Sequence, residues 1–328
     1  MTPEPPPRLV VLRALGLGDL LTAVPALRAL RRAFPAHQIL LAAPPALAAP
    51  AAATGAVDRL VPATAPGRAV PETIPWSGRR PDLAVDLHGN GPESLRPLRA
   101  LRPRRLIGYA DPAGAPPWPE AEHERERWCR LLEFHGLPAD PADLRIAPPA
   151  GPSPAPGAVV MHPGADAAAR RWPADRFAAV GRALRRAGRA VVVTGGPEEG
   201  PLAARVAEGA GLPPTAAFAG TSALPFADLC ALLAGARAVV AGDTGIAHLA
   251  TALATPSVTL FGPVSPRLWG PPPSPAHRVL WHPDDPTDPR PGDAHGRDGP
   301  DERLLRIAAS EVTEALAALP QRAPAVPA

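Results

Sequence analysis

Short apolar runs alternate with amphipathic or alanine-rich segments along almost the whole chain, and turns rich in Gly, Pro or Asp separate them. A β-rich run followed by a helical pattern predicts a β-α unit, and its repetition predicts parallel sheets. The predicted strands are 8–13, 37–42, 57–61, 82–87, 105–109, 158–161, 189–194, 216–218, 239–241, 257–261 and 278–281. The predicted helices are 20–34, 45–53, 120–134, 174–187, 200–210, 225–234, 245–253 and 302–319.

A proline-rich segment at 147–157 interrupts this alternation and has the composition of a semi-rigid linker. The length of 328 residues suits two domains, each able to bury a core. We therefore predict an α/β protein with two doubly wound, Rossmann-like domains that face each other across a cleft. Residues 1–150 form the first domain and 158–300 the second, and a last helix at 301–319 is expected to pack back on the first.

Charge and cysteine content exclude several classes of function. The net charge is only +3, the chain has no Lys, and its Arg residues are scattered among Asp and Glu. A nucleic-acid partner is not expected, because such proteins show a basic stripe. The two Cys have no metal-ligand spacing and make no disulfide framework, so they predict no metal site.

The first residues lack the basic start of a signal peptide, and prolines interrupt the uncharged stretch 33–57. We expect a cytoplasmic monomer with at most peripheral contact with the inner face of the cell membrane.

A polar turn at 242–245 joins the predicted strand 239–241 to an apolar helix. Free backbone N–H groups at such a helix start attract an anion, and the helix dipole adds to this. Thr244 can cap the helix or donate its hydroxyl to a phosphate, and Gly245 lets a ligand approach the backbone. His248 lies one turn further and can face the same point. An anion-binding turn and an ordinary cap beside a core His are both open at this stage.

The first strand ends in a second glycine-bearing turn. Gly16 and Gly18 resemble the start of a dinucleotide-binding fingerprint, but Leu21 stands where the third Gly would fall. Asp19 at the helix start would also repel a pyrophosphate, so a nicotinamide oxidoreductase is disfavoured. A carboxylate in this place can act as a general base or can cap the helix.

The predicted strand 82–87 leads into another turn at the carboxyl edge of the sheet, where open α/β sheets bind ligands. Asp86, His88 and Asn90 are candidates for contact with a substrate on this side, together with Gly18. Ordinary turn chemistry explains Asn90 followed by Gly equally well.

Several motifs together resemble glycosyltransferase family 9, the ADP-heptose:lipopolysaccharide heptosyltransferase family of GT-B fold. They follow the order of the family and cover most of residues 8–270. The matching segments are 15–20 with 25–27, 162–165, 170–173, 194–197, and 242–250 with 260–263.

The resemblance implies an inverting, metal-independent transfer of a sugar from an ADP-sugar to a hydroxyl of a glycan or glycolipid acceptor. The ADP-sugar is a substrate, so no cofactor is expected. Asp19 matches the proposed general base of the family. Arg170 stands where the family usually has Lys and would offset charge on the leaving diphosphate.

The same resemblance assigns the donor loop. Asp243, Thr244, Gly245 and His248 match it, with phosphate held by the backbone at Thr244 and Gly245.

Glu198 and Glu199 are both candidates for the ribose contact, and adenine would lie near Leu224. The resemblance implies a cell-envelope glycan or a lipopolysaccharide-type molecule as acceptor. Two alternatives stay open: a secondary metabolite as acceptor, and a non-catalytic relative that binds a nucleotide sugar.

Overall fold

The computed structural model describes residues 5–112, 114–148, 151–292, 294 and 298–320. The chain divides into two compact units, Met1–Ile146 and Ala147–Ala328. The division falls at the start of the predicted linker. None of the helices in the described residues is both long and apolar enough to span a membrane.

The first unit is a five-stranded sheet with neighbours in the order β3-β2-β1-β4-β5, and every pair is parallel. Its strands are β1 Arg8–Leu12, β2 Gln38–Ala43, β3 Arg59–Pro62, β4 Leu83–Asp86 and β5 Arg105–Ile107. Its helices are α1 Leu17–Thr22, α2 Val24–Ala33, α3 Ala48–Ala53, α4 Pro92–Ala100 and α5 Glu124–Phe134.

The second unit is a six-stranded parallel sheet in the order β11-β10-β9-β6-β7-β8. Its strands are β6 Val159–His162, β7 Val191–Thr194, β8 Ala217–Phe218, β9 Ala238–Gly242, β10 Ser257–Leu260 and β11 His277–Leu280. Its helices are α6 Ala174–Arg186, α7 Gly200–Gly209, α8 Phe226–Gly235, α9 Gly245–Ala252, α10 Pro266–Trp269, α11 Glu302–Leu305 and α12 Ala309–Ala317.

Side chains of β1 alternate between two apolar clusters because successive residues of a strand point to opposite faces. Leu9 and Val11 are buried in a cluster that includes Leu27 of α2. Val10 and Leu12 are buried in another, with Leu98 of α4. Helices therefore cover both faces of the sheet, which is the doubly wound arrangement. The α/β fold predicted from the sequence is confirmed.

Strand order reverses direction at the pair β1 and β4 in the first unit and at the pair β6 and β9 in the second. In open α/β sheets, ligands bind beyond the carboxyl ends of the strands at such a switch point. The turns that follow β1, β4, β6 and β9 carry most of the residues singled out from the sequence.

The prediction of a single helix at 20–34 is wrong, because the segment forms two helices, α1 and α2, that meet at Ala23. Pro25 lies in the first turn of α2. Proline has no N–H to donate and its ring clashes with the preceding turn, but it fits the first turn of a new helix.

The predicted C-terminal helix also forms two shorter helices, α11 and α12. Leu304, Val312 and Leu316 join the apolar core of the second unit, and α12 packs against α6 and β10. Its apolar residues are buried beside the sheet of its own unit. The expectation that the segment packs back on the first domain stays a prediction.

Candidate active site

Asp19 lies in the first turn of α1, directly beyond the carboxyl end of β1. One carboxylate oxygen, Oδ2, accepts a hydrogen bond of 3.0 Å from the Gly16 N–H. Gly16, not Asp19, occupies the cap position of the helix. Asp19 thus satisfies a backbone donor at the helix start, and its side chain remains 13% exposed. The carboxylate is fixed in direction and still reachable by a small group.

Two arginines flank the Asp19 carboxylate. Arg13, which follows β1 and is only 1% exposed, places its Nη2 3.9 Å from Asp19 Oδ1. Arg68, in the loop after β3, places its Nη1 3.8 Å from Asp19 Oδ2. The Arg68 guanidinium lies over Gly16, where a β-carbon would collide with it. Positive charge therefore surrounds the candidate base on two sides.

The turn after β4 lies beside the turn that carries Asp19. His88 Nδ1 accepts a hydrogen bond of 3.2 Å from the Ala14 N–H. A neutral imidazole that accepts at Nδ1 carries its proton on Nε2. Asn90 is exposed two residues further on, and Gly18 is half-buried. The structure therefore brings His88 near Asp19 and leaves Asn90 on the surface of the same turn.

Asp86 is not placed for contact with a substrate, which corrects the expectation from the sequence. It is fully buried, and its carboxylate accepts hydrogen bonds from the Ser94 hydroxyl and, at 2.8 Å, from the His88 N–H. Both partners belong to the turn or to α4. Asp86 therefore holds the shape of the turn that presents His88.

Burial shifts these two groups in opposite directions. It raises the pKa of Asp86 to about 6, despite the hydrogen bonds that favour its charged form. It lowers the pKa of His88 to about 4, and the nearby Arg13 charge adds to this effect. His88 is therefore neutral at pH 7 and Asp86 is ionised.

We expect opposite pH dependences when either group is removed. The raised pKa of Asp86 contributes stability that is present below pH 3.8 and lost as the pH rises through about 6. The lowered pKa of His88 contributes stability that is present above pH 6.5 and lost as the pH falls through about 4. In the wild type the two contributions oppose each other between pH 4 and 6.5.

Relative to wild type, Asp86→Asn should therefore lose up to about 3 kcal/mol of unfolding free energy between pH 6.5 and 4. His88→Gln should gain a similar amount over the same range. Urea unfolding at both pH values measures this. Two variants with the pH slope of the wild type would contradict the assignment.

On the second unit, the loop that carries Arg170 passes over the end of β9. A β-carbon on Gly242 would lie 2.9 Å from the Arg170 carbonyl oxygen, so Gly permits this approach. Arg170 Nη1 lies 3.2 Å from Asp243 Oδ2, and His248 Nε2 lies 3.9 Å from Asp243 Oδ1. The structure therefore brings two predicted donor-side residues, Arg170 and His248, to the carboxylate of a third, Asp243.

Two polar atoms near the start of α9 are left unsatisfied by the residues that the structure describes. Thr244 occupies the cap position, yet its side chain makes no capping hydrogen bond. Thr244 Oγ1 and Arg170 Nε are buried and have no hydrogen-bond partner among these residues, whereas Asp243 Oδ2 is paired with Arg170 Nη1. An unpaired buried polar atom costs about 1–3 kcal/mol. Beside the half-buried Gly245 and the free N–H groups of a helix start, these atoms suit a phosphate-bearing ligand.

The two glutamates after β7 differ in the structure. Glu199 Oε2 accepts a hydrogen bond of 2.8 Å from the Gly196 N–H and lies 3.9 Å from His162 Nε2. Glu198 is exposed on the surface of the same short turn. Burial lowers the pKa of His162, although the Glu199 charge opposes the shift. Glu199, at the ends of β6 and β7, is therefore the better placed of the two to face a ligand there.

Leu224 is half-buried between the turn Gly220–Ser222 and α8. It lies on the segment that follows β8, next in the sheet to β7. The described contacts assign it no ligand.

The family model of glycosyltransferase family 9 (heptosyltransferase) matches residues 112–290 of the chain, more than half of its 328 residues. The chain belongs to glycosyltransferase family 9. The matched range includes the groups around Asp243, whereas Asp19 lies before it.

Relatives of this family 9 protein agree with the match. Lipopolysaccharide heptosyltransferase 3 of Escherichia coli is 36% identical over 115 residues, which cover 34% of this chain and 33% of that protein. The chain thus spans about a third of the length of that curated relative.

Solved structures extend the likeness to nearly the whole chain. E. coli ADP-heptose lipopolysaccharide heptosyltransferase II has a TM-score of 0.72 at 22% identity, covering 95% of this chain and 98% of that one. E. coli heptosyltransferase WaaC, solved with ADP, has a TM-score of 0.63 at 19% identity, covering 94% and 98%. At these identities the likeness concerns the fold.

In this family 9 protein, sequence reasoning missed Arg13 and Arg68, which surround Asp19. Arg13 had one available signal, since it is a charged residue that directly follows the apolar run 9–12 at the carboxyl end of β1. Arg68 had none, because the loop 62–80 offers no periodicity that places one side chain against another.

No group of three or more His, Cys, Asp and Glu side chains that could hold a metal occurs within the described ranges.

Proposed function

We propose that the protein is an inverting glycosyltransferase that moves a heptose from an ADP-sugar to a hydroxyl of a lipopolysaccharide-type acceptor. The observation that carries the proposal is a pair of buried donors without a partner among the described residues, Thr244 Oγ1 at the start of α9 and Arg170 Nε in the loop beside it. Family membership supports the reaction class, and relatives named for lipopolysaccharide and ADP-heptose support the substrates.

The second unit supplies the donor site in this proposal. The N–H groups at the start of α9 and the Thr244 hydroxyl bind the diphosphate. Arg170 offsets the negative charge that grows on the leaving diphosphate, and His248 donates to the same group or to the sugar. Asp243 holds Arg170 and His248 in place, at 3.2 and 3.9 Å. Because these groups supply the positive charge, we propose that transfer requires no added metal.

Glu199 binds the ribose in this proposal, since its carboxylate is turned toward the ends of β6 and β7 while Glu198 faces solvent. Leu224 contributes an apolar contact for adenine. Both assignments follow the family resemblance and agree with the strand order, because ligands of such sheets lie beyond the carboxyl ends of the strands.

The first unit supplies the base. Asp19 removes the proton from the acceptor hydroxyl as its oxygen forms a bond to the anomeric carbon. The bond from that carbon to the diphosphate oxygen breaks, and ADP leaves with the electron pair. One such displacement inverts the configuration at the carbon. His88, neutral with its proton on Nε2, can donate a hydrogen bond to the acceptor, as can the exposed Asn90.

We propose that the protein acts in the cytoplasm, at the inner face of the membrane when acceptor is bound. The proposed substrates support this, since the donor is a nucleotide sugar of the cell interior and the acceptor belongs to the envelope. We propose that the protein is a monomer that binds both substrates and has no nucleic-acid partner.

ADP without added metal should raise the unfolding midpoint by several degrees, because ligand at 100 times its Kd adds about 2.7 kcal/mol to stability. Thr244→Val, which removes only the unpaired hydroxyl, should weaken ADP binding about tenfold. Thr251→Val is the matched control, since the Thr251 hydroxyl donates to the Ala247 carbonyl within α9. Thermal shift in EDTA measures both.

The absence of a shift with ADP, or a shift that needs a divalent cation, would contradict the donor assignment. Release of ADP from ADP-heptose in the presence of a heptose-deficient lipopolysaccharide then tests transfer. Tight binding without any transfer would instead identify a non-catalytic relative.

A further inference from the structure

We propose that Arg13 is the positioning residue of the acceptor side: its guanidinium joins the turn that carries Asp19 to the turn that carries His88. The inference rests on the proposed function for its effect on transfer, but its geometric part does not. Both turns lie at the switch point of the first sheet, beyond the ends of β1 and β4.

The contacts of Arg13 reach main-chain atoms of both turns. Its Nε donates to the Asp19 carbonyl at 2.6 Å, and its Nη1 donates to the Leu87 carbonyl, next to His88. Its Nη2 donates to Thr22 Oγ1 at 3.3 Å. A planar fork of donors in fixed directions can satisfy these acceptors at once, and each bond limits the movement of the turn that it holds.

A buried counter-charge holds the guanidinium itself. Arg13 Nη2 donates to Glu124 Oε1 at 3.0 Å, and that oxygen also accepts the Trp128 indole N–H at 2.9 Å. The guanidinium carbon lies 5.0 Å from the centre of the Trp128 ring. Arg127 donates to the other oxygen of Glu124 at 3.2 Å. Helix α5 thus fixes Arg13 from behind, so the turns are held against a rigid element.

The same arrangement explains the hydrogen bond between the two turns. Ala14, the neighbour of Arg13, donates its N–H to His88 Nδ1 at 3.2 Å. That bond requires β1 and the turn after β4 to keep their present separation, which Arg13 sets through Asp19 and Leu87. Loss of Arg13 would therefore free the His88 ring as well as the Asp19 carboxylate.

The first test is the kinetics of Arg13 variants. Arg13→Met should lower kcat about 100-fold, since a displacement near 1 Å of a reacting group costs this much. The KM for ADP-heptose and the thermal shift with ADP should stay within about twofold, because the donor groups lie elsewhere. Arg13→Lys keeps the charge but lacks the fork, so it should recover only part of the activity.

Arg28→Met is the matched control, because Arg28 also joins elements of the first unit: it donates to the Thr54 carbonyl at 3.1 Å and to Asp143 at 2.7 Å. It should keep the kcat of the wild type. Equal losses of kcat in Arg28→Met and Arg13→Met would indicate general destabilisation and overturn the proposal. If Arg13→Met fails to fold, Arg13→Lys against Arg28→Lys decides in the same way.

The second test reads the geometry without catalysis. The ¹⁵N shifts of the His88 ring at pH 7 should report a proton on Nε2 in the wild type and in Arg28→Met, and a mixture of tautomers in Arg13→Lys. An unchanged His88 signal in Arg13→Lys would overturn the positioning role. If the wild type transfers no sugar but the tautomer still changes in Arg13→Lys, the proposed function is refuted and the positioning role of Arg13 remains intact.

Discussion

Asp19→Asn should reduce the kcat of heptose transfer by about 10³- to 10⁴-fold and leave ADP binding unchanged. Asparagine has nearly the same shape, and its carbonyl oxygen can still accept the Gly16 N–H, which Asp19 Oδ2 accepts at 3.0 Å. It cannot take the proton of the acceptor hydroxyl at neutral pH. The change therefore separates the role of the carboxylate as a base from its role at the helix start.

Asp58→Asn is the matched control for this prediction. Asp58 also accepts a backbone N–H, that of Ile39 at 2.6 Å, and also pairs with an arginine, Arg31. It should keep wild-type turnover. ADP release measures kcat, and thermal shift with ADP measures donor binding. Turnover above a tenth of wild type in Asp19→Asn would show that another group is the base.

Arg170→Ala should lower kcat/KM for ADP-heptose by about 10²- to 10³-fold, the usual effect of removing one group that stabilises developing charge. The loss has two causes. The leaving diphosphate loses its cation, and Asp243, only 6% exposed, loses its partner at 3.2 Å and then repels the diphosphate. Arg170→Lys should stay within about tenfold of wild type, since a point charge suffices there.

A double-mutant cycle separates these causes. Arg170→Ala combined with Asp243→Asn removes the repulsion and should recover donor binding but not kcat. Arg182→Ala, an exposed arginine on α6, serves as the control and should be neutral. Steady-state kinetics with ADP-heptose are measured for the wild type, Arg170→Ala, Asp243→Asn, the double variant and the control. Full activity of Arg170→Ala would remove Arg170 from the donor site.

The alternation of strands and helices was readable from the sequence because parallel α/β folds repeat one local pattern. The order of the strands within each sheet was not predicted, since it depends on which helices cover which face of the sheet. The break at Ala23 was missed because the apolar spacing continues through Pro25, and only the absence of its N–H divides α1 from α2.

The grouping of Asp243, Thr244, Gly245 and His248 around one helix start could be predicted because these residues are close in sequence. From Thr244 to His248 the geometry is that of one helical turn, and local spacing fixes it. The pairing of Arg170 with Asp243 is non-local. It became visible only in the structure, where the loop that carries Arg170 approaches Gly242.

The surroundings of Asp19 could not be predicted for the same reason. Arg68 and Glu124 come from a loop and a helix far along the chain, and no pattern in either segment indicates what it contacts. Asp86 shows the opposite error. Its position after a strand suggested a ligand contact, but burial against Ser94 assigns it to the turn itself.

The loop of the second unit that carries Arg170 is held by residues far later in the chain. The Asp301 N–H donates to the Ala169 carbonyl at 3.0 Å, and the Trp172 indole donates to the Ile307 carbonyl at 3.2 Å, across 135 positions. During synthesis the loop therefore emerges more than a hundred residues before the segment that fixes it. Nascent chains that have made only β6 and α6 would contain the loop that carries Arg170 but would not hold it in its final position, so under the proposed function nucleotide binding should begin late in translation.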